Sequence, residues 1–287
     1  MSKISAALVK DLRERTGLGM MECKKALIAV NGDIEVAIEE LRKSSGMKAA
    51  KKASRTAAEG IILMKISEGF GTLVEVNTET DFAAKDSSFR EFSLDVLQKA
   101  HFNEATNISE VLDSDIESKR EQLVQKIGEN ITPRRVVSVK GKIVDGYIHG
   151  NEKIGVLVSL NSGSESVAKD VAMHVAAVNP TVLSSDLMPV EIVEAEKEIF
   201  TAQARESGKP DAIIEKMIVG RVGKFLKENS LLDQSFVKDP DITVGKFLED
   251  NDSEIITYHR FEVGEGIEVE KIDFASEVAA QIKSIDR

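Results

Sequence analysis

The stretch IILMKISEGFGTLVEVN, residues 61–77, carries the pattern that decides the fold. Two apolar runs, 61–66 and 71–77, are separated by a short break that contains a glycine. Runs of Ile, Leu and Val of this length, bounded by turn-forming residues, are typical of β-strands. The stretch therefore predicts a β-hairpin.

The chain that follows completes one structural unit and then repeats its plan. Helical spacing through 87–101 and 109–127, followed by a valine-rich strand at 134–140, gives the order β-β-α-α-β. The second copy contains IGVLVSL, which echoes FGTLVEV in the first hairpin. Its elements are predicted at 146–149, 154–160, 164–178, 244–249 and 254–263. We therefore expect an α+β fold whose two related halves share one core.

Three short helices are predicted before the hairpin. Apolar spacing places them at 4–15, at 20–30 and from Asp33, a good helix cap, to Leu41. A bundle this small buries little core of its own, so we expect it to lean on another surface or to serve as a docking module. The small and basic residues at 44–60 predict a partly helical linker.

Two longer helices are predicted inside the second half. Pro189 opens the first of them, 207–210 breaks it, and a second helix carries Ile213 and Phe225. Two helices of about 18 residues, at 1.5 Å rise per residue, would form an antiparallel arm roughly 27 Å long. A last helix with a narrow apolar stripe is expected near Phe274.

Composition narrows the classes of function. The 287 residues are enough for about two domains, and 38 basic against 49 acidic side chains give a net charge of −11, which disfavours general nucleic-acid binding. Cys23 is the single cysteine, so an internal disulfide is excluded. The amino terminus does not resemble a secretory signal, and no apolar stretch approaches the roughly 18 residues that span a membrane. We expect a soluble, cytoplasmic protein.

No known catalytic or cofactor motif is present in the sequence. There is no phosphate-binding loop, and each Gly-x-Gly pair lacks the third glycine of a dinucleotide fingerprint. The four histidines are far apart and have no zinc-ligand spacing, and no nucleophile elbow occurs. With 49 acidic residues, pairs of carboxylates arise by chance. The sequence predicts no enzymatic activity, no metal site and no cofactor.

The most unusual polar motif is NTETDFAAKD, residues 77–86, where a strand ends and Asp81-Phe82 precedes a helix. Taken alone, these residues favour a structural interpretation in which Asp81 caps the helix and Phe82 packs its first turn onto the core. His149 at a turn has a similar interpretation, as a strand-end histidine bonded to nearby backbone.

Several motifs occur in order over essentially the whole chain. They are LRERTGLGMMECKKAL (12–27), TDF (80–82), KIGEN (126–130), HG (149–150), IGVLV (154–158), AMHVAA (172–177) and RFEVGEG (260–266). Together they resemble the bacterial elongation factor Ts family, and the match is far more specific than any single motif. Leu18 and Ala83 depart from the residues expected there, which changes side-chain size but leaves Asp81-Phe82 intact.

The resemblance implies a guanine-nucleotide exchange factor, not an enzyme, that binds elongation factor Tu in its GDP-bound and nucleotide-free states and lets GTP replace GDP. It implies that Thr80, Asp81 and Phe82 enter the partner beside its Mg²⁺ ion and dislodge it. The other partner contacts implied by matching motifs are Leu12, Met20, Lys24, Ile127, Gly128 and His149. No cofactor, membrane or direct nucleic-acid contact is implied, and a dimer of heterodimers is expected.

The resemblance also implies how the chain divides. We expect a helical domain resembling ubiquitin-associated domains, with its basic linker, at 1–55 and a core subdomain at 56–140. A second core subdomain at 141–263 would hold a coiled-coil insertion at about 187–228, and a helical module would occupy 264–287.

Two other classes of function stay open at this point. An RNA-associated protein could use the basic residues from Lys48 to Arg55, although a solvated face is the simpler interpretation because no aromatic residues lie between them. An enzyme would need an acid and a base that the sequence does not nominate. Both alternatives rank below the exchange factor.

Overall fold

The N-terminal part of the chain is the predicted bundle of three helices. The computed structural model describes residues 4–206 and 210–268. Its first elements are α1 (Ala6–Thr16), α2 (Met20–Ala29) and α3 (Ile34–Lys52). Ser5 caps α1 by accepting a hydrogen bond from Leu8 N at 3.2 Å, and Gly17 ends it with a left-handed φ of 69°. The fully buried Leu12 and Leu27 lie in the small core that the three helices share.

The first half follows the predicted order of elements, with one added turn of helix. Its elements are β1 (Glu59–Ser67), β2 (Phe70–Thr78), α4 (Asp81–Ala84), α5 (Ser87–Phe102), α6 (Ser114–Ile127) and β3 (Ile131–Lys140). The hairpin is confirmed, because β1 and β2 pair antiparallel with Ile61 opposite Val76, and β3 pairs with the other side of β2. The predicted start of α6 at 109 is wrong, since Asp113 caps the helix and 108–110 form a separate 3₁₀ turn.

The helix α3 continues into the stretch that we expected to be a partly helical linker. It reaches Lys52 because its later turns pack against α6, where Ser45 and Ala49 are buried. Ala49 joins the core of the first half together with Val124 of α6. The small residues of this stretch therefore join the N-terminal bundle to the first half through helix packing.

The second half repeats the three-stranded antiparallel sheet and adds four α-helices within the described residues. Its elements are β4 (Ile143–Ile148), β5 (Ile154–Ser162), α7 (Glu165–Val178), α8 (Val190–Arg205), α9 (Asp211–Asn229), β6 (Ser235–Phe236), β7 (Asp239–Thr243), α10 (Val244–Asp250) and β8 (Glu254–Glu262). The sheet has the antiparallel order β4-β5-β8. Val171 and Val175 of α7 pack in one core with Val156 and Val158 of β5. The small β6–β7 hairpin was not predicted from the sequence.

Residues from both sheets form a shared apolar cluster. Two glycines allow this approach: a Cβ on Gly155 would lie 2.5 Å from Ile62 Cγ2, and a Cβ on Gly71 would lie 2.7 Å from Val144 Cγ1. The buried side chains of the cluster are Ile62, Leu73, Val139, Val144, Leu157 and Phe261. The two sheets therefore pack against each other through this cluster, and each half keeps a core of its own.

The inserted helices α8 and α9 pack side by side, with Ala204 and Ile214 buried near the break between them. Their base is fixed to the second half by a hydrogen bond of 2.9 Å from Thr181 N to Asn229 O. The predicted pair of helices is thus confirmed. The helix expected near Phe274 lies outside the described residues. Within the described part of the chain, no helix combines the length and the apolar character needed to cross a bilayer.

His174 is a buried polar residue in the core of the second half. Its Nε2 lies 2.9 Å from Gln234 Oε1, and Val237 N donates a hydrogen bond to its Nδ1 at 3.2 Å. The Gln234 amide is oriented by its own donation to Glu228 O at 2.7 Å. Because Nδ1 accepts, the ring proton is on Nε2 and the imidazole is neutral. Burial lowers the pKa of His174, although the bond with Gln234 acts in the opposite direction.

Candidate partner-binding site

The motif that contains Asp81 and Phe82 forms an exposed tip at the end of β2. The helix α4 has only four residues, and Thr80 caps it by accepting a hydrogen bond from Ala83 N at 3.2 Å. Ala83 and Ala84 are buried, whereas Phe82 is 80% exposed. The structural interpretation of the motif is therefore wrong on both counts, because Thr80 and not Asp81 is the cap and Phe82 does not pack on the core. We call residues 80–84 the tip.

Lys85 lies beside both Asp81 and Phe82. Lys85 Nζ lies 2.8 Å from Asp81 Oδ2 and 5.8 Å from the centre of the Phe82 ring. The hydrogen bond from Lys85 lowers the pKa of Asp81, so the carboxylate is ionised at neutral pH. The tip thus presents an exposed aromatic ring beside a carboxylate that is paired with Lys85.

Ile127 and Gly128 lie at the end of α6, in the loop whose next residue, Glu129, supports the tip. Gly128 ends the helix with a left-handed φ of 89°, and Lys52 Nζ donates to its carbonyl oxygen. Ile127 is partly buried against the core of the first half. Glu129 Oε1 accepts a hydrogen bond of 2.7 Å from Thr80 Oγ1. The structure therefore brings the Ile127–Gly128 pair and the tip together, and Glu129 is a residue of the site that the sequence did not single out.

His149 is exposed in the turn between β4 and β5. Its Nδ1 lies 3.1 Å from Tyr147 Oη, and its carbonyl oxygen accepts a hydrogen bond from Glu152 N at 2.7 Å. Arg90 of α5 binds both carboxylate oxygens of Glu152, at 2.6 and 2.7 Å, and this hydrogen bonding lowers the pKa of Glu152. Since α5 begins just after the tip, this pair holds the His149 turn against the half of the molecule that carries the tip.

The three residues expected to contact the partner from the N-terminal bundle differ in exposure. Met20 is 59% exposed and Lys24 is also exposed, both on α2. Leu12 is fully buried in the bundle core beside Cys23. Any effect of Leu12 on binding would therefore act through the packing of α1 against α2.

Three of the four basic residues between Lys48 and Arg55 are engaged within the protein. Lys48 pairs with Glu22, Lys52 donates to the carbonyl of Gly128, and Arg55 lies 3.5 Å from Glu79. These contacts connect the end of α3 to α2, to the loop after α6 and to the segment leading to the tip. They account for these charges without a bound phosphate and disfavour the RNA-associated alternative.

Within residues 4–206 and 210–268, no three His, Cys, Asp or Glu side chains gather as metal ligands. What stands out is an exposed aromatic ring beside an ionised carboxylate, held at the end of a buried strand by hydrogen bonds from a neighbouring loop. Exposed aromatic residues on a supported loop are typical of sites that anchor another protein. The fold and the site are those expected of a protein-binding factor.

Comparison with known proteins identifies the family. Residues 79–265 match the family model described as elongation factor TS. The chain is 56% identical to the elongation factor Ts of Marinobacter nauticus over 282 residues, which cover 98% of both chains. It is 57% identical to that of Cellvibrio japonicus over 284 residues, again covering 98% of both chains. The chain belongs to the elongation factor Ts family.

Proposed function

We propose that this chain promotes GDP release from elongation factor Tu by inserting Asp81 and Phe82 beside the Mg²⁺ site of its partner. Nucleotide exchange on elongation factor Tu during translation elongation is the role of the family to which the chain belongs. The observation that carries the proposed mechanism is the tip, where Phe82 is 80% exposed and Asp81 is ionised next to it. Burial of an apolar, solvent-exposed side chain by a partner makes the free energy of binding more favourable.

In the proposed mechanism, binding of this chain to the partner replaces binding of Mg²⁺ and GDP, and no covalent bond is made or broken. Mg²⁺ bridges nucleotide phosphates and protein oxygens, so displacing the ion removes a large local charge from the nucleotide site. Weakening GDP binding by some factor requires that GDP weaken the binding of the exchange factor equally. The chain must therefore bind the nucleotide-free partner more tightly than the GDP-bound partner, and the same complex is the one that GTP enters.

Other surfaces must contribute to this preference. A shift of about 10⁴ in an equilibrium requires roughly 5.5 kcal/mol of differential binding, whereas burying one phenylalanine contributes about 1.5–3 kcal/mol. We assign further contacts to Met20 and Lys24 on the bundle, to Ile127 and Gly128 beside the tip, and to His149. Leu12 would support the first group from inside the bundle.

We also infer the finer organisation that the family suggests. The helices α8 and α9 would form an antiparallel coiled coil, and the N-terminal bundle would resemble a ubiquitin-associated domain. The chain would act in the cytoplasm, and two of its complexes with elongation factor Tu would associate into a dimer of heterodimers. The packing of α8 on α9 supports the first of these inferences.

A direct test uses purified elongation factor Tu loaded with a fluorescent GDP analogue. Substoichiometric amounts of this chain should accelerate release of the analogue in the presence of excess unlabelled nucleotide. The chain should also be retained on immobilised, nucleotide-stripped elongation factor Tu and be eluted by GDP. A release rate equal to the spontaneous rate, together with no retention on the nucleotide-free partner, would refute the proposed function.

A further inference from the structure

Glu129 makes three hydrogen bonds to the segment that ends in the tip. Its Oε1 accepts from Thr80 Oγ1 at 2.7 Å. Its Oε2 accepts from Thr80 N at 2.9 Å and from Thr78 Oγ1 at 3.0 Å. Both oxygens of one carboxylate are thus committed to two residues of the chain just before Asp81. Hydrogen bonds to an ionised acceptor are the stronger kind, so this carboxylate fixes the path of the chain into the tip.

The bond from Glu129 also decides how the Thr80 hydroxyl is oriented. A threonine hydroxyl has one hydrogen to donate and lone pairs that accept. Donation to Glu129 uses that hydrogen and leaves a lone pair for Ala83 N, at 3.2 Å, which is the bond that caps α4. Glu129, Thr80 and Ala83 therefore form a chain of hydrogen bonds, which we call the relay. The Glu129 carboxylate orients the Thr80 hydroxyl, and this hydroxyl caps the start of the helix that carries Phe82.

Apart from Glu129, the tip is held by local backbone hydrogen bonds and by the packing of its two alanines. One turn of helix is not stable by itself, because forming it fixes several backbone dihedrals for a single hydrogen bond. The ion pair between Lys85 and Asp81 is exposed, and pairs of this kind contribute little. The buried Ala83 and Ala84 pack the inner side of the turn against the first half, so Glu129 acts together with this packing.

The residues on either side of Glu129 are also held by hydrogen bonds. The next residue, Asn130, donates its backbone N–H to Glu79 Oε1 at 2.6 Å and its side-chain amide to Arg55 O at 2.8 Å. Gly128 before it is fixed by its left-handed turn and by Lys52. The carboxylate therefore has a defined position from which to orient the tip.

From this geometry we propose that Glu129 is a positioning residue that holds Asp81 and Phe82 in the orientation needed for nucleotide release. It would act through Thr80 and would not itself touch the partner's nucleotide site. The inference rests on the proposed function of the tip. A loosely held tip would still reach the partner through the other docking surfaces, but it would enter the nucleotide site in the correct orientation less often. Loss of Glu129 should therefore lower the maximal rate of GDP release more than it lowers affinity.

The test compares Glu129→Ala and Glu129→Gln with Glu68→Ala, which removes the same charge from an exposed turn far along the sheet from the tip. GDP release from elongation factor Tu is measured at saturating exchange factor, and the dissociation constant is measured with the GDP-bound partner in excess GDP. We expect Glu129→Ala to slow the maximal rate about tenfold, since small misplacements of an acting group have effects of at least this size, with the dissociation constant changed less than twofold. Glu129→Gln should be intermediate, because a carboxamide retains one accepting oxygen. Glu68→Ala should match the unmodified chain.

A second pair of variants tests the relay even if Glu129→Ala folds poorly. Thr80→Val removes the hydroxyl and should slow release to a similar extent, whereas Thr80→Ser keeps the hydroxyl and should slow release less than Thr80→Val. Faster exchange of the Ala83 amide hydrogen is expected in Glu129→Ala and in Thr80→Val, and the two changes combined should slow release no further than either alone. A release rate in Glu129→Ala equal to that in Glu68→Ala, or a loss that lies wholly in affinity, would overturn the assignment. If Phe82→Ala were also without effect, the proposed function would fail with it; a slow Phe82→Ala beside a normal Glu129→Ala would refute this inference alone.

Discussion

Replacing Phe82 with alanine isolates the contribution of the exposed ring to nucleotide release. In the free chain the side chain is 80% exposed, so its removal takes away almost no buried surface. The cap at Thr80 and the buried Ala83 and Ala84, which hold the tip, stay in place. We therefore expect the folding stability of Phe82→Ala to equal that of the unmodified chain within about 0.5 kcal/mol.

The effect on exchange follows from the surface that the partner would bury. Full burial of a phenylalanine contributes about 1.5–3 kcal/mol, and each 1.4 kcal/mol corresponds to a factor of ten. If this energy is spent on releasing GDP, Phe82→Ala should slow release about 10-fold to 100-fold. The loss should be incomplete, because the roughly 5.5 kcal/mol needed for a shift of 10⁴ exceeds what one ring supplies.

The assay is stopped-flow release of fluorescent GDP from elongation factor Tu at several concentrations of the exchange factor. Phe102→Ala is a matched control, because Phe102 is 88% exposed but lies at the far end of α5. The control should release GDP at the unmodified rate. If Phe82→Ala and Phe102→Ala gave the same rate, insertion of the ring could not be the cause of release.

Three further results are expected. Glu75→Ala should lower the melting temperature by roughly 6–12 °C in a thermal scan, because loss of this fully buried carboxylate removes the ion-pair partner of Arg134 at 3.0 Å, leaves Arg135 paired with Glu265 only and leaves Gly264 N without its acceptor, at a cost of about 3 kcal/mol; an unchanged value would contradict this. The pKa of His174 is lowered in the folded chain, so as the pH falls through the unfolded value of about 6.5 the unfolded chain binds a proton that the folded chain does not, and the folded state loses stability. His174→Gln should therefore reduce the change in the free energy of unfolding, measured with urea, between about pH 7.5 and pH 5.5. An equal change in the variant and the unmodified chain would exclude His174 as its source. Chelation of Mg²⁺ should partly mimic the exchange factor by speeding GDP release from elongation factor Tu alone, and a rate unaffected by chelator would count against Mg²⁺ displacement.

The sequence was most informative where a periodic pattern meets a clear stop. The hairpin at 61–77 was predicted because its two apolar runs flank a glycine-containing turn, and the pairing of Ile61 with Val76 confirms it. The start of α6 was missed because 108–110 have helical character over a single turn only. The last turns of α3 are helical because α6 covers them, and the sequence around Lys52 gives no sign of that cover.

The candidate site was predicted only in part. The motif at 80–82 marked the position, and its residues alone favoured a buried phenylalanine, since Phe82 is the largest apolar side chain of its turn. In the structure two alanines occupy the inner side instead. Which side of a one-turn helix faces the core depends on how the chain leaves β2, and Glu129, 49 residues further along the chain than Thr80, contributes to that path.

The sequence by itself determined the type and order of nearly all elements, the α+β class, the absence of known catalytic motifs and the membership of the family. These properties follow from local spacing and from residue identity, which can be read along the chain. Only the tertiary structure decided that Phe82 is exposed, that Glu129 binds Thr80, and that Arg90 holds the His149 turn through Glu152. Periodicity shows which face of an element is apolar but not which other element covers that face. Contacts between residues far apart in sequence are therefore decided only by how the elements pack in the folded chain.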